Sequence, residues 1–270
     1  GYLKKHGACT PEIIDCLAEG YDIQDLERII QLEQPDLIGF SVLTFNLLDC
    51  LSAAKAIKRV SPDTKICFGG YHVTLYPTET LNLPNVDYVV FGEGEITFTE
   101  LVKYHRAFQA GENKLEDLKS IEGIGWIDEQ GSQILNSSRK NLDNLDELPF
   151  PAHDLIDLKK YTVVLGEQSA VASIQTSRGC PAKCTFCDIR LTRFRYRSEE
   201  NVVAEIKWLL SLGMKEFFFL DDTFTINRDR ALRLCKLLIK ENLQIKYKIS
   251  SRIDKVDEEL LSYLAKSGCY

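Results

Sequence analysis

The feature that most constrains the fold is an alternation of short apolar runs with longer segments of helical periodicity. Apolar runs at residues 35–43, 64–70 and 86–95 alternate with segments whose apolar residues recur every three or four positions, as at 23–32 and 47–60. Continuous apolar runs are typical of strands buried on both faces of a parallel sheet, and strands alternating with helices build such a sheet. The first part of the chain is therefore predicted to be an α/β domain with a doubly wound parallel sheet.

The pattern changes after residue 122. "GIGWIDEQGSQILN" predicts a hairpin around Gly131, and the acidic, proline-containing stretch "NLDNLDELPFPAHDL" predicts a linker. Three further strand–helix units follow, and they are consistent with the N-terminal half of a βα barrel. We therefore predict a first domain at residues 1–140 that ends in the hairpin, a linker at 141–165 and a second domain at 166–270.

Composition excludes several classes of protein. The formal net charge of −7 argues against a nucleic acid as the main partner. No run of 18 apolar residues and no signal-peptide pattern is present, so we predict a cytoplasmic protein with no membrane span. The chain begins at Gly1, has Met214 as its one methionine and ends where another strand is expected, so we also predict a fragment of a longer protein.

Three cysteines, Cys180, Cys184 and Cys187, stand within eight residues of "SRGCPAKCTFCDIR", directly after a predicted strand. Structural zinc normally takes four protein ligands, whereas iron–sulfur clusters are held by thiolates and can leave one iron open to a small molecule. The alternatives are a zinc knuckle or three buried cysteines. The other six cysteines lie in or beside apolar runs and are predicted to pack as small hydrophobic side chains; they are Cys9, Cys16, Cys50, Cys67, Cys235 and Cys269.

Polar residues follow the next two strands of the second domain. Asp221 and Asp222 end "FFFLDD", and Ser250 and Arg252 end "KISSR", so all four are predicted to face the same mouth as the cysteines. The alternative for each is a helix cap or a solvated charge. The basic run at residues 193–198 is predicted to be a solvated loop, or else a contact with an anionic cofactor or substrate.

Small polar or glycine motifs also end the three apolar strands of the first domain. They are "SVLT" at Ser41, "GGYH" at Gly69 and "GEGE" at Gly92. Strand ends of one parallel sheet share one edge, and glycine lets the backbone approach a ligand closely, so these loops are predicted to line one crevice. The alternative is that the glycines only serve turn geometry and that His72 is a surface histidine.

The C-x3-C-x-aromatic-C spacing, with Phe186 as the aromatic residue, resembles the radical S-adenosylmethionine (SAM) superfamily. The resemblance implies that the three cysteines hold a 4Fe-4S cluster whose open iron chelates SAM, which is then cleaved to a 5′-deoxyadenosyl radical. It also implies a set of SAM contacts: Phe186, Asp221, Asp222, Ser250 and Arg252.

The order of the first-domain motifs resembles a cobalamin-binding domain, here lacking its N-terminal strand. The resemblance implies that the loops embrace cobalamin through Ser41, Leu43, Thr44, Gly69, Gly70, His72, Gly92, Glu93, Gly94 and Glu95. The Asp-x-His-x-x-Gly motif that ligates cobalt in many such domains is absent, and its expected position lies at or before Gly1. His72 is not assigned as a cobalt ligand.

Across nearly the whole chain, then, the sequence resembles a cobalamin-binding radical SAM protein. This implies an enzyme that methylates an unactivated carbon of a small-molecule substrate, uses SAM twice and receives electrons from a partner such as flavodoxin or ferredoxin. One alternative is a cobalamin-dependent oxidative cyclase or rearranging enzyme, similar to the anaerobic magnesium-porphyrin cyclase. Another is a non-catalytic metal-binding or electron-transfer module. A methylthiotransferase is disfavoured because the first domain has no second cysteine motif. No catalytic side chain is assigned.

Overall fold

The computed structural model describes residues 1–112, 115–162, 170–187, 189 and 192–270. Within it the chain divides into two compact units, which we call the first unit (Gly1–Asn141) and the second unit (Leu142–Tyr270). The predicted boundary between linker and second domain, at residues 165 and 166, lies outside the described residues. The domain limits given above therefore stay a prediction.

The first unit is built on one sheet whose strands follow each other in sequence order. They are β1 (Leu37–Ser41), β2 (Lys65–Gly69), β3 (Tyr88–Val90), β4 (Ile124–Ile127) and β5 (Gln133–Leu135). The first three strands are parallel, whereas β4 and β5 run antiparallel as a hairpin at one edge. In the β1–β2 register Ser41 lies opposite Gly69, so the carboxyl ends of these strands meet at one edge of the sheet.

Helices cover both faces of this sheet. They are α1 (Tyr2–Lys5), α2 (Cys16–Glu19), α3 (Ile23–Glu33), α4 (Leu47–Val60), α5 (Tyr71–Leu75), α6 (Pro77–Leu81), α7 (Gly94–Gln109) and α8 (Leu115–Leu118). Successive strand residues point to opposite faces. Accordingly Phe68 packs in a cluster with Ile30 and Ile57 of α3 and α4, whereas the adjacent Cys67 packs in a second cluster with Leu101 of α7. The doubly wound α/β class predicted for this half is confirmed.

The second unit contains a parallel three-stranded sheet in the order β10–β9–β6. Its elements are β6 (Val171–Ile174), β7 (Ser177–Arg178), β8 (Arg195–Tyr196), α9 (Glu199–Ser211), β9 (Glu216–Phe219), α10 (Arg228–Lys240), β10 (Lys246–Ile249) and α11 (Glu258–Lys266). The pairs β6–β9 and β9–β10 are both parallel, and each strand precedes a helix. The side chain of Ser198 caps the N-terminus of α9, because its Oγ accepts a hydrogen bond from Asn201 N at 3.2 Å. The predicted first half of a βα barrel is confirmed.

Two expectations about local structure are corrected. The strand predicted directly before the cysteines is interrupted after Ile174, and its end pairs separately as β7 with β8. The interpretation of the basic run at 193–198 as a solvated loop is wrong for Arg195 and Arg197, which are 4% and 9% exposed. Arg195 donates to Leu142 O at 2.6 Å, and Arg197 donates to Gln175 O at 3.0 Å, so backbone carbonyls satisfy part of each buried guanidinium.

Arg197 also forms an ion pair with Glu205, a residue of α9 whose side chain is 1% exposed. The pair neutralises a carboxylate that would otherwise be buried without a counter-charge. Arg193 is the exposed arginine of the run, with 70% of its side chain accessible to solvent.

None of the helices in the described parts of the chain has both the length and the apolar character needed to cross a membrane.

Candidate functional site

The three cysteines lie in a loop whose two ends are held together. We call residues 179–194 the cysteine loop; within it, residues 188, 190 and 191 lie outside the described residues. The β7–β8 pair closes its base, with Ser177 opposite Tyr196 and Arg178 opposite Arg195. Gly179 follows with φ +79°, and a Cβ there would lie 2.7 Å from the carbonyl oxygens of Thr192 and Arg193. Only glycine allows this close approach of the loop ends.

All three cysteines carry free thiols and are half-buried. A turn joins the second and third, with Cys187 N donating to Cys184 O at 3.2 Å. Cys180 Sγ lies 3.8 Å from Thr223 Oγ1, just beyond β9, and Cys184 Sγ lies 3.6 Å from Arg252 Nη1, just beyond β10. The cysteine loop therefore meets the residues that follow the carboxyl ends of the next two strands.

The chemistry of this donor set fits a cluster held by three thiolates. Soft thiolate ligands are those that iron–sulfur clusters use. Arg252 supplies a positive charge next to Cys184. Among the described residues, no group of three or more His, Cys, Asp or Glu side chains is arranged to hold a single metal ion.

The two aspartates after β9 have different environments. Asp221 is 2% exposed, and its carboxylate accepts hydrogen bonds from Thr176 N (2.8 Å), Thr176 Oγ1 (2.6 Å) and both the N and Oγ of Ser177. Asp222 is exposed to solvent, although the protein still covers part of its side chain. This partial burial, together with the neighbouring Asp221 carboxylate, raises the pKa of the Asp222 carboxyl group. The contact with SAM stays a prediction for both, but the protein itself already occupies both oxygens of Asp221.

The other predicted SAM contacts lie around the same loop. Phe186 is 89% exposed, and Ser250 is exposed while its carbonyl accepts a hydrogen bond from Phe224 N at 2.9 Å. The Arg252 fork binds Asp254, from Nε to Oδ1 at 2.9 Å and from Nη2 to Oδ2 at 3.1 Å, and this pairing raises the pKa of Arg252. In this structure Asp254 therefore takes the bidentate position at Arg252 that a cofactor carboxylate could fill. SAM binding by these residues stays a prediction.

In the first unit the loops after β1 and β2 are joined by hydrogen bonds. Val42 N donates to Gly69 O at 2.7 Å, and His72 N donates to Val42 O at 3.1 Å. Thr44 Oγ1 lies 3.0 Å from His72 Nδ1, within hydrogen-bond distance. The predicted residues Thr44, Gly69 and His72 are thus brought together at one edge of the sheet.

Thr74 connects the second of these loops to the third, and sequence reasoning missed it. Its Oγ1 donates to Gly70 O at 3.0 Å and accepts a hydrogen bond from Gly92 N at 3.0 Å. Ser41, Leu43, Thr44 and Gly92 are exposed here, and Glu93, Gly94 and Glu95 are half-buried at the start of α7. The ten predicted cobalamin contacts therefore all belong to the loops and helix start at this edge, and their binding role stays a prediction.

Comparisons with known proteins identify both halves of the chain. The B12 binding domain model matches residues 1–102, and the radical SAM superfamily model matches residues 174–270. An uncharacterized methyltransferase of Pyrococcus horikoshii is 36% identical over 264 residues, which is 96% of this chain and 55% of that protein. The anaerobic magnesium-protoporphyrin IX monomethyl ester cyclase of Rubrivivax gelatinosus is 28% identical, over 99% of this chain and 48% of that protein.

A solved structure shows the same fold across both units. The radical SAM methyltransferase TsrM of Kitasatospora setae, with cobalamin and a [4Fe-4S] cluster bound, superimposes with a TM-score of 0.74 at 18% identity, covering 99% of this chain and 53% of that one. The chain spans about half the length of the curated relatives cited here. With a B12 binding domain in its first unit and a radical SAM domain in its second, the chain belongs to the cobalamin-binding radical SAM proteins.

Proposed function

We propose that the whole protein is a cobalamin-dependent radical SAM methyltransferase that acts on an unactivated carbon of a small-molecule substrate. The observation that carries this proposal is the presence of both family models on one chain that aligns over 96% of its length with a protein named as a methyltransferase. The chain also shares its fold with TsrM, a methyltransferase whose structure holds cobalamin and a [4Fe-4S] cluster. This likeness supports the same conclusion.

In the second unit, different residues would bind the cluster and SAM. Cys180, Cys184 and Cys187 would bind three irons and leave the fourth for SAM. Arg252 would stabilise the Cys184 thiolate, from which its Nη1 lies 3.6 Å away. Asp222, exposed beside the loop, is the aspartate with oxygens available to the SAM amino group.

In the first unit, the loops after β1, β2 and β3 would hold cobalamin. Three contacts orient these loops before a ligand arrives: the one between Thr44 Oγ1 and His72 Nδ1, the hydrogen bond that Thr74 Oγ1 donates to Gly70 O, and the one that it accepts from Gly92 N. Such preorganisation reduces the entropy lost on binding. When bound, the cofactors supply a 5′-deoxyadenosyl radical for hydrogen abstraction and a methyl group for transfer.

The reaction would consume two SAM molecules and two electrons for each methyl group transferred. One SAM becomes S-adenosylhomocysteine after giving up its methyl group, and the other yields methionine and 5′-deoxyadenosine, which keeps the substrate hydrogen. The electrons require a reducing partner such as flavodoxin or ferredoxin. We also propose that the protein is cytoplasmic, because the six cysteines outside the cysteine loop form no disulfide in the described structure, as expected in a reducing compartment.

A second candidate is an oxidative cyclase or rearranging enzyme that uses the same cofactors. It is supported by the alignment of 99% of this chain with the Rubrivivax gelatinosus cyclase, at 28% identity. Because both classes would share the cluster and cobalamin loops, these loops do not separate them. A non-catalytic metal-binding or electron-transfer module is the remaining alternative, and it predicts a cluster that does not respond to SAM.

The test uses the whole protein, reconstituted without oxygen with iron, sulfide and hydroxocobalamin. We expect a reduced cluster whose electron paramagnetic resonance spectrum shifts on adding SAM, with cobalamin retained after desalting. With candidate substrates and SAM labelled at the methyl group, we expect a product heavier by one labelled methyl group and equal amounts of S-adenosylhomocysteine and 5′-deoxyadenosine. An unlabelled product would favour the cyclase, and a cluster indifferent to SAM would favour the passive module.

A further inference from the structure

A buried carboxylate holds the strand end that leads into the cysteine loop. Asp221 receives four hydrogen bonds, two from Thr176 and two from Ser177, and these residues stand only three and four positions before Cys180. Asp221 itself follows β9 directly, and Leu220 N donates to Ile174 O at 2.9 Å, so the ends of β9 and β6 are already aligned. The carboxylate thus fixes the interruption between β6 and β7.

A buried guanidinium holds the other side of the same loop base. Arg230 of α10 is 1% exposed, and its Nη2 donates to Thr176 O at 3.0 Å and to Arg197 O at 3.2 Å. Thr176 precedes β7, and Arg197 follows β8. Arg197 N also donates to Thr176 O at 2.9 Å. Arg230 therefore joins β7 and β8 at the end of the pair that points away from the cysteine loop.

The electrostatics explain how two charges are tolerated in this position. Burial lowers the pKa of Arg230, and the charge of Asp221 opposes that effect, so the Asp221 carboxylate helps to keep the guanidinium ionised. Hydrogen bonds to charged groups are shorter and stronger than neutral ones, which makes both residues rigid supports. Their partners are the backbone and hydroxyl groups on which the position of Gly179 and Cys180 depends.

From this arrangement we infer that Asp221 and Arg230 are positioning residues that set the geometry with which the cysteine loop presents its three thiolates to the cluster. The inference rests on the proposed cluster at these cysteines. Neither residue touches the cluster or SAM: Asp221 acts through Thr176 and Ser177, and Arg230 acts through the carbonyls at the base of the loop. Asp222, not Asp221, is then the aspartate that meets SAM.

The experiment compares Asp221→Asn, Arg230→Lys and Asp222→Asn in the whole, reconstituted protein. Asp229→Asn is the matched control, because Asp229 lies close by on α10 with 81% of its side chain exposed. Three quantities are measured without substrate: the rate of iron release to a ferrous chelator, the paramagnetic resonance spectrum of the reduced cluster, and the dissociation constant of SAM. The melting temperature of each cluster-free variant reports folding.

We expect Asp221→Asn and Arg230→Lys to release iron about tenfold faster or more, the size of effect that loss of outer-sphere support has on metal sites. We also expect both to change the spectrum before SAM is added. Asp222→Asn should keep the wild-type iron release and spectrum and bind SAM more weakly, and Asp229→Asn should match the wild type throughout. Where Asp221→Asn fails to fold, Thr176→Val removes the hydroxyl that donates to Asp221 and preserves the shape of the side chain, and it should accelerate iron release in the same direction.

Two results would overturn the inference. In the first, Asp221→Asn keeps the wild-type iron release and spectrum but binds SAM weakly, which makes Asp221 a direct SAM contact. In the second, both variants lower only the melting temperature of the cluster-free protein and leave the assembled cluster unchanged. A wild-type protein that assembles no cluster at all would instead contradict the proposed function on which the inference rests.

Discussion

Gly70 and Gly92 both have positive φ angles, +99° and +79°, but their surroundings differ. A Cβ at Gly70 would lie 2.8 Å from Val42 O and 2.9 Å from Val42 N, whereas a Cβ at Gly92 would meet nothing within 4 Å. Gly70 also has ψ −170°, in a region of backbone conformation that is essentially restricted to glycine. The first glycine is required by packing between two loops, and the second faces open space.

We therefore expect Gly70→Ala to lower the free energy of unfolding by clearly more than Gly92→Ala, which should cost about 1–2 kcal/mol from its left-handed conformation alone. Gly92→Ala should instead weaken cobalamin retention, because its new methyl group occupies space next to the loop proposed to hold the cofactor. Urea unfolding of the cobalamin-free protein and cobalamin content after desalting measure the two effects. Equal losses of stability in the two variants would contradict this account of Gly70.

A sequence can indicate a site whose residues are neighbours in the chain, but not one that is built by distant pairs. The spacing of Cys180, Cys184 and Cys187 was enough to predict a cluster site. The hydrogen bonds from Thr176 to Asp221 join residues 45 positions apart, and no sequence pattern indicates that two such residues are in contact. A strand-end aspartate with a buried partner and one with a free carboxylate have the same sequence pattern, so the sequence alone does not separate the roles of Asp221 and Asp222.

Arg228 ties the N-termini of α10 and α11 together through ion pairs with Asp257 and Glu259. Asp257 caps α11 by accepting a hydrogen bond from Leu260 N at 2.9 Å, and its Oδ1 also accepts one from Arg228 Nη2 at 3.1 Å. The Arg228 side chain, which donates from Nε as well, holds the pKa of Asp257 at about 2. A depressed pKa means that the folded state favours the charged carboxylate, so the resulting stability is present above the ordinary aspartate pKa of about 4 and is lost as the pH falls from there to about 2.

Asp257→Asn should therefore reduce stability at neutral pH and have a shrinking effect as the pH falls. Asparagine is as good an N-cap as aspartate, so the substitution removes the charge and leaves the cap. Urea unfolding of the cluster-free protein at several pH values between 3 and 7 measures the difference from wild type, with Glu258→Gln, an exposed first-turn residue of α11, as the control. A difference that stays constant or grows towards acid would rule out the ion pair as its cause.

Helices and strands were predictable from the sequence where they are long or where a favoured N-cap residue precedes them. The periodicity at residues 47–60 coincides with α4 (Leu47–Val60), and Ser198 marked the start of α9. The two-residue strands β7 and β8 were missed because two residues carry no period. The buried state of Arg195 and Arg197 was missed for a related reason: a basic run is normally solvated, and only tertiary contacts with Leu142, Gln175 and Glu205 reverse that expectation.

The two units have separate hydrophobic cores, and each proposed cofactor belongs to one of them. In the first unit Leu101 is fully buried in the cluster around α7, and in the second unit Leu234 is fully buried in the cluster around α9, α10 and β9. Two cores that share no buried residues can unfold in separate steps. A ligand that binds one unit then stabilises that step alone, by an amount set by its concentration relative to its dissociation constant.

We expect calorimetry of the whole protein to resolve separate transitions for these units, assigned by the matched substitutions Leu101→Ala and Leu234→Ala. Each should cost about 2–5 kcal/mol, as buried leucines do, and lower one transition only. Hydroxocobalamin at a hundred times its dissociation constant should stabilise the transition lowered by Leu101→Ala by about 2.7 kcal/mol. Cluster reconstitution should raise the transition lowered by Leu234→Ala. If both substitutions lowered one common transition, or if cobalamin raised the transition assigned by Leu234→Ala, the assignment of one cofactor to each unit would be wrong.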